Sequence, residues 1–235
     1  MDSSKKFSVD EIRARFDGEV ERFSNLSTGQ VATMDATFCM DLVATAAAAA
    51  VSPVRTVLDV GCGAGNYSLK LRERAAKAAF TLVDLSRPML DKAVERLGAS
   101  AAATHQGDIR ELDFAPGSFD VILASAVLHH LRTPAEWESV FSKFHRWLRP
   151  GGGFWVFDIV THEHPAIQRL LWDRYGDFLT KLGGAEYREN VFSYIAREDT
   201  PTPVTFQVEL ARRVGFSKVD VLHKNAAYAA YGAVR

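Results

Sequence analysis

The residues of this chain best suited to chemistry begin with a glycine loop. Leu58-Asp59-Val60-Gly61-Cys62-Gly63-Ala64-Gly65-Asn66 stands where an apolar run ends and a helical pattern begins. Glycines at such a junction let the backbone turn sharply and let a ligand approach main-chain atoms that a Cβ would cover. The spacing is G-x-G-x-G. A P-loop would end in G-K-[ST], which is absent, and a dinucleotide fingerprint G-x-G-x-x-G would need glycine where Asn66 stands. A purely structural turn is the competing use of these glycines. Cys62 reads as a small loop-filling residue rather than a reactive thiol, because no His or Lys adjoins it. His162 and His164 form H-x-H, but with only Glu163 nearby as a third ligand they read as loop histidines, and no metal centre is expected.

Taken with four later segments, the loop resembles the class I S-adenosylmethionine-dependent methyltransferases, over about Thr56 to Val160. That resemblance implies S-adenosyl-L-methionine as cofactor and a set of contacts for it. Asp59 with Gly61, Cys62, Gly63 and Gly65 matches the first motif. Asp84, closing Phe80-Thr81-Leu82-Val83, takes the place of the acid that accepts both ribose hydroxyls, a task suited to a carboxylate because vicinal hydroxyls are two donors. Leu85 adjoins it, and Met89 of Ser86-Arg87-Pro88-Met89 would pad the adenine ring. Asp108 and Ile109, in Gly107-Asp108-Ile109, would meet the adenine amino group and the ring, although Asp108 is also placed to cap the turn at Arg110-Glu111. Ala124 ends the fourth strand, and Leu148-Arg149-Pro150-Gly151-Gly152-Gly153 resembles the turn into the fifth.

The acceptor is less legible. Family members that methylate amino groups of DNA bases carry [DN]-P-P-[YF] after the fourth strand; here the residues are Ala124-Ser125-Ala126-Val127. Small-molecule members show an apolar stretch followed by histidines, as in Val127-Leu128-His129-His130-Leu131, and an imidazole there can take a proton from an acceptor hydroxyl. His130 is the candidate base. Trp172, Tyr175, Phe178, Tyr187, Phe192 and Tyr194 either roof an apolar acceptor or form a local core or a homodimer surface. A looser resemblance, through Arg13, Arg15, Phe16, Arg22, Phe23 and the stretch Asn225–Tyr231, links the chain to carboxy-S-adenosylmethionine synthases that serve tRNA modification. Those enzymes need a cation for the extra carboxylate, and none aligns in residues 185–200. A non-catalytic cofactor-binding regulator is the remaining alternative.

Periodicity supplies the elements that must position these groups. Ser8-Val9-Asp10-Glu11 has capping-box form and predicts a helix over Val9–Phe23, followed by a second over Ala32–Ala50. From Pro53 strands and helices alternate: Thr56–Val60, helix Ala64–Arg74, Phe80–Asp84, helix Pro88–Leu97, Ala101–Gln106, Phe119–Ala124, helix Pro134–Leu148, Gly153–Asp158. A helical segment over His164–Leu182, an irregular stretch through Gly183-Gly184 and Thr200-Pro201-Thr202-Pro203, a helix Val204–Val214 and strands Phe216–His223 and Ala227–Val234 complete the chain. The fold class is therefore α/β, a Rossmann-like doubly wound seven-stranded sheet with a C-terminal antiparallel strand, N-terminal helices and a helical insertion. The parts are a helical cap over 1–52, a cofactor core over 53–160, a substrate lid over 161–200 and a completing segment over 201–235, all in one domain.

Composition narrows the partners. Among 235 residues, 28 Lys+Arg balance 29 Asp+Glu, and 47% are hydrophobic against 24% charged. A net charge of −1 provides no field for bulk nucleic acid, so a small-molecule substrate is expected. The two cysteines, Cys39 and Cys62, build neither a disulfide framework nor a thiolate zinc site. The apolar run Leu42–Val51 is about ten residues where a bilayer span needs roughly 20. The opening MDSSKKFSVDEIR has no apolar signal core. A cytoplasmic protein without membrane contact follows. Calorimetry should show S-adenosylmethionine binding with NAD silent; comparable NAD binding would overturn the cofactor reading.

Overall fold

The computed structural model describes residues 6–25 and 29–235. The first five residues, part of the stretch that lacks an apolar signal core, lie outside the described residues. Seven strands form one sheet: β1 (Thr56–Val60), β2 (Ala79–Asp84), β3 (Ala101–Gln106), β4 (Phe119–Ser125), β5 (Leu148–Ile159), β6 (Lys218–Asn225) and β7 (Tyr228–Val234), in the spatial order 3-2-1-4-5-7-6. The first five run parallel, and β7 inserts antiparallel between β5 and β6.

Strand parity divides the core. Val57, Phe80, Leu82, Val121, Leu123, Trp155 and Phe157 face one side; Leu58, Val60, Val83, Ile122, Phe154 and Val156 face the other. The first side is covered by α3 (Ala36–Ala50), α4 (Asn66–Arg72), α5 (Arg87–Leu97) and α7 (Pro165–Glu198). The second is covered by α6 (Pro134–Trp147) and α8 (Val204–Arg213), which contribute Trp137, Phe141, Phe144 and Leu210. Covered on both faces, β4 is buried along its whole length, which is why Val121–Ala124 reads as an apolar run rather than an alternating one.

Local chemistry fixes the helix starts. Ser8 and Glu11 form the reciprocal capping box that opens α1 (Val9–Asp17), and Thr133 with Glu136 does the same for α6. Several boundaries differ from those the periodicity predicts. The first helix stops at Gly18, its C-cap, and resumes as α2 (Val20–Ser24). The second starts at Ala36 rather than Ala32, behind Asp35 at φ 58°. β5 begins at Leu148 instead of Gly153, with a register shift opposite Phe119 and Val121. The largest correction is the insertion. The helical segment does break at Gly184 (φ 85°, ψ 178°), but the stretch after it is helical to Glu198 instead of irregular and folds back, so that Phe192 stacks on Trp172 at 5.7 Å and Tyr175, Leu179 and Ile195 are buried in the same core. Both arms of the insertion thus contribute side chains to the core.

The carboxyl ends of the parallel strands meet at one edge of the sheet, where open α/β sheets bind ligands. The loop after β1 turns there with Gly61 at φ 63° and Gly63 at φ 50°. A Cβ on Gly61 would lie 2.5 Å from Val127 Cγ2, whereas one on Gly63 would meet nothing within 4 Å. Gly63→Ala should therefore cost only the left-handed backbone penalty, about 1–2 kcal/mol. Gly61→Ala should lose an overpacking cost of about 1–3 kcal/mol on top of it. Urea unfolding of the two variants checks the order.

Candidate active site

The glycine loop is held from below and from the side. Cys62 N donates to Val83 O at 2.9 Å, and Gly65 N to Cys62 O at 2.8 Å. Asp84, at the end of β2, takes Gly63 N on Oδ2 at 2.8 Å and Ser86 N on Oδ1 at 2.9 Å, so one carboxylate joins the loop to the start of α5. Asn66 donates to Phe23 O at 2.9 Å and accepts from Arg96 at 2.7 Å, which ties the N-terminal helices to the same loop.

Above the loop lies a cleft of two adjoining pockets, about 150 and 60 Å3, that share Gly61, Asp84, Leu85, Val127 and His130. The larger is lined also by Cys62, Gly63 and Met89, and the smaller by Asp108 and Ile109. Nine of the twelve residues singled out in the sequence thus line one cleft. The other three do not. Asp59 lies beneath the loop, 2% exposed, accepting from Ser68 Oγ at 2.6 Å, and Gly65 packs against Ala93. Ala124 is wholly buried; its neighbours Ser125 and Ala126 reach the cleft instead. Asp108 makes the turn cap weighed above: it accepts from Arg110 N at 2.9 Å and binds the Arg110 guanidinium, which reaches on to Glu136.

Next to the cleft is a chamber of about 550 Å3, sharing Phe16, Phe23, Gly29, Thr33 and Ala126 with it. Of the insertion's aromatics, Tyr175, Tyr187 and Tyr194 line the chamber. Those three and Trp172, Phe178 and Phe192 alike pack on the core, as one of the uses weighed in the sequence expects. The chamber's polar end was missed in the sequence. Asp158 takes His129 Nδ1 on Oδ1 at 2.5 Å and the backbone amides of Leu128 and His129 on Oδ2 at 2.9 and 3.2 Å. Asp199 Oδ1 lies 3.6 Å from both His129 Nε2 and His130 Nδ1. Asp158 had a signal, an acid at a strand's carboxyl end like Asp84; Asp199 had none. Arg15 packs over Phe16 and Tyr194, 4.0 and 4.3 Å from the ring centroids, and pairs with Glu198 and Glu19. His162 and His164 are engaged elsewhere, with Gln168 and Lys224 and at the start of α7.

Burial and neighbours set the charges. Burial raises the Asp59 carboxyl to about 7 and Asp84 to about 6, the latter against the pull of the Ser86 and Gly63 amides. Burial also works to raise Asp108, but the hydrogen bonds from Arg110 outweigh it and hold the group below the usual range. For His129 burial is outweighed by Asp158 and Asp199, and the imidazole rises to about 9. His130 moves the other way, lowered by burial and by the positive neighbour His129. Both of its ring nitrogens lack a hydrogen-bond partner.

A family model described as a methyltransferase domain matches residues 57–152, the stretch that carries the cleft. The ubiquinone/menaquinone biosynthesis C-methyltransferase of Ruegeria sp. is 30% identical over 181 residues, covering 74% of this chain and 70% of that one. The chain belongs to the class I S-adenosylmethionine-dependent methyltransferases. The trans-aconitate 2-methyltransferase of Deinococcus radiodurans is 36% identical over 135 residues, 56% of this chain and 48% of that one. The chain spans about half the length of the first curated relatives it matches. The solved structure of a geranyl diphosphate methyltransferase covers 97% of this chain and 99% of its own, with a TM-score of 0.64; at 14% identity that match shows the shared fold. No helix among the described residues is long and apolar enough to cross a membrane. S-adenosyl-L-methionine is the methyl donor of this family, and the cleft over Gly61, Gly63 and Asp84 fits it: backbone lies open at the loop, and a carboxylate stands at its rim.

Two hydroxyl donors at Asp84 would both be accepted only by its carboxylate form. With the free group at about 6, affinity for S-adenosylmethionine should be level above pH 7 and fall as pH drops through 6, approaching tenfold per unit. Asp84→Asn should flatten that limb in calorimetry from pH 5 to 8. Asp84→Ala should cost about 1.5–3 kcal/mol of affinity. It should also lower the stability of the ligand-free protein, because Gly63 N and Ser86 N lose their acceptor. The sequence alone suggested a residue devoted to the cofactor.

Proposed function

We propose that this protein transfers the methyl group of S-adenosylmethionine to a small-molecule acceptor held in the chamber beside the cofactor cleft. The observation that carries this reading is the common wall: Phe16, Phe23 and Ala126 belong to both spaces, so an acceptor in the chamber adjoins a cofactor in the cleft. The acceptor's lone pair attacks the methyl carbon in line with the sulfonium, the C–S pair returns to sulfur to leave the thioether, and the acceptor's proton must be removed. Holding the two reactants about 3–3.5 Å apart supplies most of the acceleration.

His130 is the group that receives the proton. It lines both pockets of the cleft, its nitrogens are free of partners, and the His129 cation beside it keeps it neutral and so able to accept. Asp158 holds His129 in place. Cofactor contacts in this reading come from Gly61, Cys62, Gly63, Leu85 and Met89, with Asp84 at the ribose and Asp108 and Ile109 at the adenine. Asp59, Gly65 and Ala124 support the loop and strand end from beneath. The aromatic walls exclude water. A carboxy-S-adenosylmethionine synthase is less favoured, since Arg15 and Arg22, both in the chamber wall, are already matched by Glu198 and Glu19. The near-neutral charge and the two buried, unpaired cysteines agree with a place in the cytosol.

His130→Ala should lower kcat by about 10²–10⁴, with the cofactor dissociation constant changed only severalfold and the acidic limb of the rate profile lost. The acceptor is found by incubating the protein with methyl-labelled cofactor and a metabolite extract. Label should appear among small molecules. Label confined to tRNA or protein would overturn the reading, and tight cofactor binding without any transfer would indicate a regulator.

A further inference from the structure

Where the chamber, lined by His129 and Asp199, meets the cleft, lined by His130, there are more ligating groups than proton transfer needs. His129, His130 and Asp199 each offer a donor atom, and the three atoms lie within 4.8 Å of one another. Three atoms there, His130 Nδ1, His130 Nε2 and Asp199 Oδ1, are buried without a hydrogen-bond partner. The Asp199 side chain is only 4% exposed, so water does not readily satisfy it. We propose that His129, His130 and Asp199 form a binding site for a divalent transition-metal ion of the zinc or cobalt class, open on its fourth side to the acceptor chamber.

Three observations support it. First, the spacing fits: donors about 2.1 Å from a tetrahedral ion lie about 3.4 Å apart, and Asp199 Oδ1 is 3.6 Å from a nitrogen of each histidine. That separation is too long for hydrogen bonds and close to what an ion between them requires. Second, His129 is set as a metal-bound imidazole usually is: Nδ1 is fixed by the Asp158 carboxylate, leaving Nε2 to face Asp199. Third, two histidines and one carboxylate are borderline donors that suit zinc, cobalt or iron(II) over magnesium or calcium. The cations nearby are accounted for. Arg15 is matched by Glu198 and Glu19, Lys6 bonds the carbonyl oxygens of Ala196 and Asp199, and Arg132 bonds the carbonyl of Phe7.

The ion and the acceptor's proton would use the same His130 lone pair. Occupancy of the site therefore opposes the transfer proposed above and makes the ion an inhibitor. This consequence rests on that reading; the site itself does not. The test is binding to the whole protein after treatment with a chelator, without cofactor or acceptor. Cobalt(II) should develop a visible absorption band that saturates at one ion per chain, and zinc(II) should displace it and raise the thermal midpoint. Asp199→Asn and His130→Ala, checked for folding by circular dichroism, should each weaken binding at least tenfold. No band and no heat with the intact protein would overturn the site, as would unchanged binding in both folded variants, which would place the ion elsewhere, for instance at His162. If cobalt binds as described but zinc leaves methyl transfer untouched, the site stands and His130's part as proton acceptor falls.

Discussion

Most of what this chain can do depends on where the Asp84 carboxylate sits. Its two oxygens take amides from opposite directions, Gly63 in the loop after β1 and Ser86 at the head of α5, and so fix the distance between two strand ends. Those amides consume one lone pair on each oxygen of a carboxylate that also lines the cleft. The group is kept nearly dry, which raises its proton affinity but also strengthens every hydrogen bond it accepts. A single side chain thus braces the loop and places a titratable carboxylate at the cleft.

The cleft was legible in the sequence and the chamber was not, for physical reasons. A glycine loop and a strand-terminal acid are local: strand, turn and helix are contiguous, so spacing alone places Gly61, Gly63 and Asp84 together. Side-chain direction is a finer matter. Asp59 belongs to the same motif, but strand parity turns it with Val57 toward the helices, where Ser68 waits. The chamber joins residues far apart in the chain. Asp199 reaches His129 because Thr200 N donates to His129 O at 2.7 Å and Thr161 bridges to Pro203, contacts that no periodicity announces. Gly183-Gly184 marked a real break, at Gly184; the sequence did not show that the chain resumes as a helix beyond it, where Ile195 finds a buried place beside the first arm.

The chamber also shows how a protein holds two adjacent imidazoles in different states. His129 and His130 are 4.3 Å apart between ring centroids. One is flanked by Asp158 and Asp199 and is drawn toward the cation; the other has that cation for a neighbour and is driven toward the neutral form. Neither state is intrinsic to histidine. The difference comes from which ring β5 reaches with its terminal carboxylate, a matter of one residue in the turn after β4.

Phe16 and Phe23 stand between two compartments, and α2, which carries Phe23, hangs from the cofactor loop through Asn66. A partition of that kind restricts how such a protein can diversify. Enlarging the acceptor space by trimming either ring also loosens the seat of the cofactor, so the two properties cannot drift independently through this wall. The opposite wall is different: Tyr187, Asn190 and Val191 border the chamber alone. New acceptor preferences in descendants of this chain would accumulate along α7 beyond its kink, while the partition stays aromatic.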